Sequence, residues 1–337
     1  MRVDEFALIA HFFAPLAAAE PGAFGLTDDA AVLALGSDQA LVATIDTLVE
    51  GVHFRAEDPP ESVGVKLLAV NLSDLAAMAA RPRGYLLSLA LPAAWAMDRR
   101  EAWLGGFVAG LRAAQAQAGV DLVGGDTVGT PGPLTLTVTA LGTVTHGQAV
   151  RRSGAQVGDD VYVSGSIGDA ALGLMLLQGR LTGASAADGS LLIERYQRPT
   201  PRLGVGRGLS GLAHAAADVS DGLIADLGHI CQASGVGATI ESQRIPLSAP
   251  ASAVLKRDPD VFMDLLRGGD DYELVFTAAP ERAADVARLA AATGVPLTAI
   301  GKIARPHIAQ DAHSVRVTDP SGRDLVVVGS GGYCHFT

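Results

Sequence analysis

The sequence predicts an α/β protein, α+β in its detail, built as two domains, and three observations carry that prediction. A length of 337 residues gives room for about two domains of ~100–200 residues each. Short apolar runs of period two alternate along the chain with longer runs of helical period. No tandem repeat of roughly 20–50 residues is visible, which removes solenoids and propellers.

The elements follow in order. Leu41 to Asp46 reads as a strand ending in a carboxylate. Asp58-Pro59-Pro60 is a helix opening, and Val63, Leu67, Val70 and Asp74 then recur about one turn apart until Arg81-Pro82. Tyr85 to Leu91 is a buried strand, Asp98 to Gly119 a helix stopped by glycine, and Leu134 to Val144 a strand with one wetter face. A boundary at His146-Gly147 sets domains at 1–147 and 148–337. Beyond it come a strand at Asp160 to Ser164, a helix at Asp169 to Gln178, and a stiff Pro199-Thr200-Pro201 connector. A helix after Asp221-Gly222, a strand at Tyr272 to Thr277, a helix at Pro280 to Ala292 and a hairpin at Pro320-Ser321-Gly322 complete the set.

Composition narrows the function. Hydrophobic residues at 49% against 18% charged supply a sizeable core. No apolar run approaches ~18 residues, so no membrane span is expected. Met1-Arg2-Val3-Asp4-Glu5 lacks the layout of a signal peptide, and two cysteines 103 positions apart suit a reducing cytoplasm. A net charge of −11 and 5% aromatics argue against nucleic-acid and anionic-membrane partners.

The informative feature is a series of short acidic clusters. They are Thr27-Asp28-Asp29, Asp46-Thr47, Asn71-Leu72-Ser73-Asp74, Gly124-Gly125-Asp126-Thr127, Asp218-Val219-Ser220-Asp221-Gly222 and Gly268-Gly269-Asp270-Asp271, each expected at the edge of a strand or helix. Any one is ordinary turn or cap chemistry. Six, in a chain with only three lysines, point to gathered carboxylates that cations must neutralise. Hard divalent ions with oxygen ligands, Mg²⁺ above all, fit them. Several Mg²⁺ ions suit phosphoryl transfer between two phosphate-bearing molecules, where the ions screen repulsion. There is no P-loop, no protein-kinase catalytic loop and no HExxH; Gly204-Val205-Gly206-Arg207-Gly208 follows no strand and is no dinucleotide turn.

Longer ordered motifs run through the whole chain: Thr44-Ile45-Asp46-Thr47-Leu48-Val49-Glu50-Gly51-Val52-His53-Phe54, Asn71-Leu72-Ser73-Asp74, Gly124-Gly125-Asp126-Thr127, Arg152-Ser153-Gly154-Ala155, Asp218-Val219-Ser220-Asp221-Gly222-Leu223, Gly269-Asp270-Asp271-Tyr272-Glu273-Leu274 and Gly332-Tyr333-Cys334-His335-Phe336. On these the chain resembles the thiamine-monophosphate kinase family, relatives of aminoimidazole ribonucleotide synthetase. The resemblance implies an N-terminal domain that binds ATP and Mg²⁺ and contributes to a dimer β-barrel. It implies a C-terminal α/β domain closing the nucleotide and substrate cleft. The implied reaction moves the γ-phosphoryl of ATP directly onto thiamine monophosphate, giving thiamine diphosphate.

Matched position by position, Asp29, Asp46, Asp74, Asp126, Asp218 and Asp221 look like the Mg²⁺ ligands. Thr44, Gly125, Asp126, Arg152 and Ser220 resemble ATP contacts, and His53, Asp270 and Tyr333 resemble substrate contacts. Tyr333 is the aromatic expected over the cationic thiazolium. No general base is assigned, since the acceptor is already an ionised phosphate and positioning with charge neutralisation suffices. The chain departs from the pattern at Thr27, Ile45, Asp270 and Cys334, where glycine, threonine, glutamate and aspartate are usual. Two other readings compete: a synthetase of the same superfamily, or a non-enzymatic acidic protein that binds divalent cations.

Overall fold

A computed structural model describes residues 8–27, 30–306, 315–325 and 332. The chain divides into two compact units, Met1–Leu75 with Ala80–Gly147, and Ala76–Ala79 with Gln148–Thr337.

The first unit contains β1 (Gln39–Val49), α1 (Pro60–Ala77) up to Leu75, β2 (Arg81–Pro92), α2 (Met97–Ala118), β3 (Leu122–Thr130) and β4 (Thr135–Thr145). Its sheet has the order β1-β4-β2-β3, with β4 antiparallel to both neighbours and β2 parallel to β3. Alternation decides its faces: Leu136, Val138 and Ala140 of β4 are buried while Thr135, Thr137 and Thr139 are half-buried. On the buried face the Tyr85 hydroxyl of β2 donates to Gln115 of α2 at 2.7 Å. Helices α1 and α2 touch backbone to backbone, since a Cβ on Gly110 would stand 1.9 Å from the Glu61 carbonyl oxygen. The opposite face of the sheet leaves Leu41, Ile45, Leu86 and Val128 exposed.

The second unit carries β5 (Asp160–Ser164), α3 (Asp169–Leu177), α4 (Ala186–Gln197), α5 (Leu203–Leu209), β6 (Ala215–Asp218), α6 (Leu223–Ser234), β7 (Gly237–Glu241), α7 (Ala249–Arg257), α8 (Phe262–Arg267), β8 (Leu274–Ala278), α9 (Ala283–Thr293), β9 (Leu297–Ala304), β10 (Val315–Thr318) and β11 (Asp324–Leu325). Its seven strands run in the order β11-β10-β7-β9-β5-β8-β6, antiparallel except where β10 meets β7. Both faces are covered. Val161, Val163 and Val275 pack with Leu223, Leu227 and Ile230 of α6. Tyr162 and Phe276 pack on the other side with Val205 and Leu209 of α5 and Val286 of α9. A strand apolar on both sides suits such a central position.

The expected elements form, several of them longer than read, and the structure corrects three placements. Asp46-Thr47 lies inside β1, which runs on to Val49 because Leu48 and Val49 keep pairing with β4. Asn71-Leu72-Ser73-Asp74 lies inside α1, whose helical period continues to Ala77. Gly124-Gly125-Asp126-Thr127 lies inside β3 rather than at an edge. Glycine reads as punctuation in sequence, but here its missing side chain lets strands approach: a Cβ on Gly125 would fall 2.0 Å from the Leu87 carbonyl oxygen of β2. Gly204-Val205-Gly206-Arg207-Gly208 belongs to helix α5 and forms no nucleotide turn.

Candidate functional site

In the first unit, Thr44 and Asp46 stand two residues apart on β1 and share the face that α1 covers. The Thr44 hydroxyl donates to Asp74 Oδ2 at 2.5 Å. The Asp46 N–H donates to Asn71 Oδ1 at 3.1 Å, and Asn71 Nδ2 donates to the Leu67 carbonyl at 3.0 Å. Asn71 is fully buried, so its amide works as a spacer that fixes β1 against α1. The sequence flagged it within a cluster without giving it a role; its position one turn before Asp74 was the available signal.

Asp126 stands elsewhere. Register pairs it with Ser88 of β2, which pairs with Thr137 of β4, which pairs with Thr47 of β1. Asp46 is in the next row, so Asp46 and Asp126 point to opposite faces, from strands at opposite edges of the sheet. Asp126 is exposed, and its Oδ1 accepts the Thr127 N–H at 2.9 Å. A cavity of about 790 Å³ runs along this face, lined by Ile45, Leu86, Gly125, Asp126 and Thr137, with Phe13 from the N-terminal turns. That volume is within the range of small-molecule sites.

His53 lies in the turn after β1. Its Nδ1 accepts the Val49 N–H at 3.0 Å, which fixes the neutral tautomer carrying its proton on Nε2. Its carbonyl accepts from the buried Lys66 ammonium at 3.2 Å.

In the second unit, β6 ends at the buried Asp218 and the chain turns through Ser220-Asp221-Gly222 into α6. Asp226, 1% exposed, collects that turn: its Oδ2 accepts the N–H groups of Ser220, Asp221 and Gly222 at 3.0, 3.0 and 3.1 Å. Burial pushes the Asp226 carboxyl up to about 7 and repulsion from Asp221 adds to it, against the opposing pull of the Asp221 and Gly222 N–H groups and of Arg152. Arg152 itself is exposed.

A second turn is stitched to the first. Asp270 N–H donates to the Ser220 carbonyl at 2.9 Å and Tyr272 N–H to the Val219 carbonyl at 2.8 Å. Both residues have left-handed backbone, φ 71° and 49°, a strained state that its surroundings must enforce. Buried acids on either side of Tyr272 do so. Asp271 accepts the Gly168 and Ala170 N–H groups at 2.7 and 3.3 Å, and Glu273 accepts from Ser164 at 2.6 Å and from the guanidiniums of Arg195 and Arg202. Burial lifts Asp271 well above the usual carboxylate range. Burial also works against the Arg202 charge, and the bonds to Glu273 more than offset it. The Tyr272 hydroxyl donates to Asp270 Oδ1 at 3.1 Å. Of the acids in the Gly-Gly-Asp-Asp-Tyr-Glu stretch, Asp271 and Glu273 are buried braces and Asp270 is half-buried. Asp29 and Tyr333 lie outside the described residues, as do Asp28 and Cys334. Gly332 is seated on the first turn, where a Cβ would stand 2.6 Å from the Asp221 carbonyl oxygen.

Two family models match: the AIR synthase related protein N-terminal domain over residues 27–144 and the corresponding C-terminal domain over residues 156–309. The thiamine-monophosphate kinase of Escherichia coli K12 is 44% identical over 307 residues, 90% of this chain and 91% of that protein. A crystal structure of thiamine-monophosphate kinase from Stenotrophomonas maltophilia superimposes with a TM-score of 0.78 at 47% identity, covering 87% of this chain and 89% of that one. The structure of AaThiL complexed with AMPPCP and TMP gives a TM-score of 0.76 at 31% identity, covering 94% and 98%.

Proposed function

This chain belongs to the thiamine-monophosphate kinase family, and we propose from that premise that it transfers the γ-phosphoryl of ATP to the phosphate of thiamine monophosphate, giving thiamine diphosphate and ADP. The observation that carries the reading is the AaThiL complex with AMPPCP and TMP, a relative that matches 94% of this chain.

Mg²⁺ is the implied metal, and the donor chemistry fits it. Asp46, Asp74 and Asp126 of the first unit and Asp218 and Asp221 of the second offer hard carboxylate oxygens, with Asp74 held in place by Thr44. Asp46 with Asp74 on one face of the first sheet, Asp126 on its cavity face, and Asp218 with Asp221 in the second unit would each hold Mg²⁺, as would Asp29, and the ions would supply screening and alignment of the phosphates. Gly125 and Asp126 line the cavity of the first unit and suit ATP, as do Thr44, Arg152 and Ser220. His53, at the turn after β1, and the braced Asp270 suit the substrate side, with Tyr333 over the thiazolium. No residue is needed as general base, because the nucleophile is a phosphate oxygen already ionised.

The exposed apolar face formed by Leu41, Ile45, Leu86 and Val128 supports a homodimer built on the first sheet. A cytoplasmic home is supported by Cys231, a free and buried thiol. Among the described residues no helix is long and apolar enough to cross a membrane.

The test is direct. Purified, folded protein given ATP, Mg²⁺ and thiamine monophosphate is expected to form thiamine diphosphate and ADP in equal amounts, and Asp126→Asn and Asp221→Asn each to lower kcat strongly while circular dichroism is unchanged. Absence of thiamine diphosphate with the folded wild type overturns the activity; wild-type rates in both variants overturn the metal assignment.

A further inference from the structure

We infer that Asp221, Asp226 and His229 form a binding site for a borderline divalent ion such as Zn²⁺, different in kind from the all-oxygen Mg²⁺ ligands proposed above. The donors of these three residues lie within 4.8 Å of one another, the one such group among the described residues. Helix α6 brings them together: Asp226 and His229 are three apart and so on one face, and Asp221 sits two residues before the helix begins.

A second, independent observation points to a cation. Asp226 is 1% exposed, and while its Oδ2 takes three N–H groups, its Oδ1 has no hydrogen-bond partner. A buried carboxylate oxygen without a donor is costly unless a cation meets it, and Arg152, whose charge acts on Asp226, makes no bond to that oxygen. The positive end of α6 does not repel an ion here as it ordinarily would, because Asp226 Oδ2 already uses the three N–H groups that precede the helix.

The imidazole selects the metal. Mg²⁺ prefers carboxylate, carbonyl and water oxygens, whereas an imidazole with two carboxylates suits Zn²⁺ and its neighbours. Such an ion, about 2.1 Å from each donor, leaves a fourth position open. Binding would draw the Asp221 and His229 donors in from within 4.8 Å to the roughly 3.4 Å spacing that this geometry requires. Sharing Asp221 sets the two classes of ion in competition at that residue. That consequence rests on the Mg²⁺ reading, but the site itself does not.

The experiment uses the full chain, freed of metal with a chelator and without nucleotide. Co²⁺ is titrated as a spectroscopic probe and Zn²⁺ by calorimetry. One equivalent of Co²⁺ is expected to give the visible absorption of a four- or five-coordinate ion. His229→Gln is expected to abolish that absorption and weaken Zn²⁺ binding at least tenfold. The Asp226 bonds to the turn come from backbone N–H groups and not from His229, so the variant is expected to keep the fold, and a circular dichroism spectrum checks this. Asp226→Asn is expected to weaken Zn²⁺ likewise wherever it folds. Binding by His229→Gln equal to wild type, or ready displacement of Co²⁺ by equimolar Mg²⁺, places the ion on carboxylates alone and overturns the proposal, as does a wild type that binds neither metal.

Discussion

The backbone N–H of Asp270 donates to the carbonyl oxygen of Ser220 at 2.9 Å, so the acid proposed for the substrate and the serine proposed for ATP hang on one hydrogen bond. Their spacing is not left to flexible side chains. A Cβ on Gly269 would stand 2.1 Å from that same Ser220 oxygen, which is why the preceding residue is glycine.

In the proposed reaction Asp270 serves binding rather than chemistry. Asp270→Ala is expected to raise KM for thiamine monophosphate by about tenfold or more, the size of a lost charged hydrogen bond, and to leave KM for ATP nearly unchanged. Steady-state kinetics with each substrate varied in turn checks the split; an unchanged KM for thiamine monophosphate removes the role.

Glu273 is a matter of stability. Its carboxylate is fully buried against Arg195, Arg202 and Ser164. Glu273→Gln takes the counter-charge from Arg202 and leaves Arg195 only its longer pair with Asp169 at 3.9 Å, and is expected to cost about 3–5 kcal/mol. Chemical denaturation measures it, and a loss under about 1 kcal/mol contradicts the bracing described above.

The raised Asp226 gives a pH signature in metal-free protein. Its carboxyl moves from 3.8 to about 7 on folding, so the folded state holds a proton that the unfolded state releases. Stability is therefore expected to fall as pH rises from about 4 to about 7 and to level off above, as far as this group decides it. Melting temperatures of wild type and Asp226→Asn across that window test it: the fall is expected to shrink in the variant.

Cys231 is fully buried and burial pushes its thiol up to about 12. Without thiolate it is expected to resist iodoacetamide at pH 8 in the folded protein and to react fully in denaturant. Peptide mapping by mass spectrometry reads that site directly.

Ile45 is 63% exposed on the open face of the first sheet. Ile45→Glu places a charge in the proposed dimer interface and is expected to shift sedimentation from dimer toward monomer with the fold intact. A wild type that sediments as a monomer ends that proposal.

The elements themselves were largely legible. The period of Leu134 to Val144 marked β4, Asp58-Pro59-Pro60 opened α1, and Gly119 closed α2 with a left-handed φ of 66°. These are local matters of backbone preference and alternation. Gly124-Gly125 misled because its reason is a neighbouring strand, which no local rule contains. The acids of Gly-Gly-Asp-Asp-Tyr-Glu were equally opaque, since type alone does not separate a ligand from a brace. Burial does: Asp271 and Glu273 are sealed from water, and Asp270 is not.

By itself the sequence determined the two-unit α/β plan, the family and the inventory of carboxylates, because each depends on residue order and type. Tertiary structure alone decided that Asp46 and Asp126 face opposite sides of one sheet, that Asn71 and Asp226 organise the backbone around their neighbours, and that His229 joins Asp221. The physical reason is that hydrogen bonds and charges act over a few ångströms of space, and which residues meet across that distance is set by packing rather than by position along the chain.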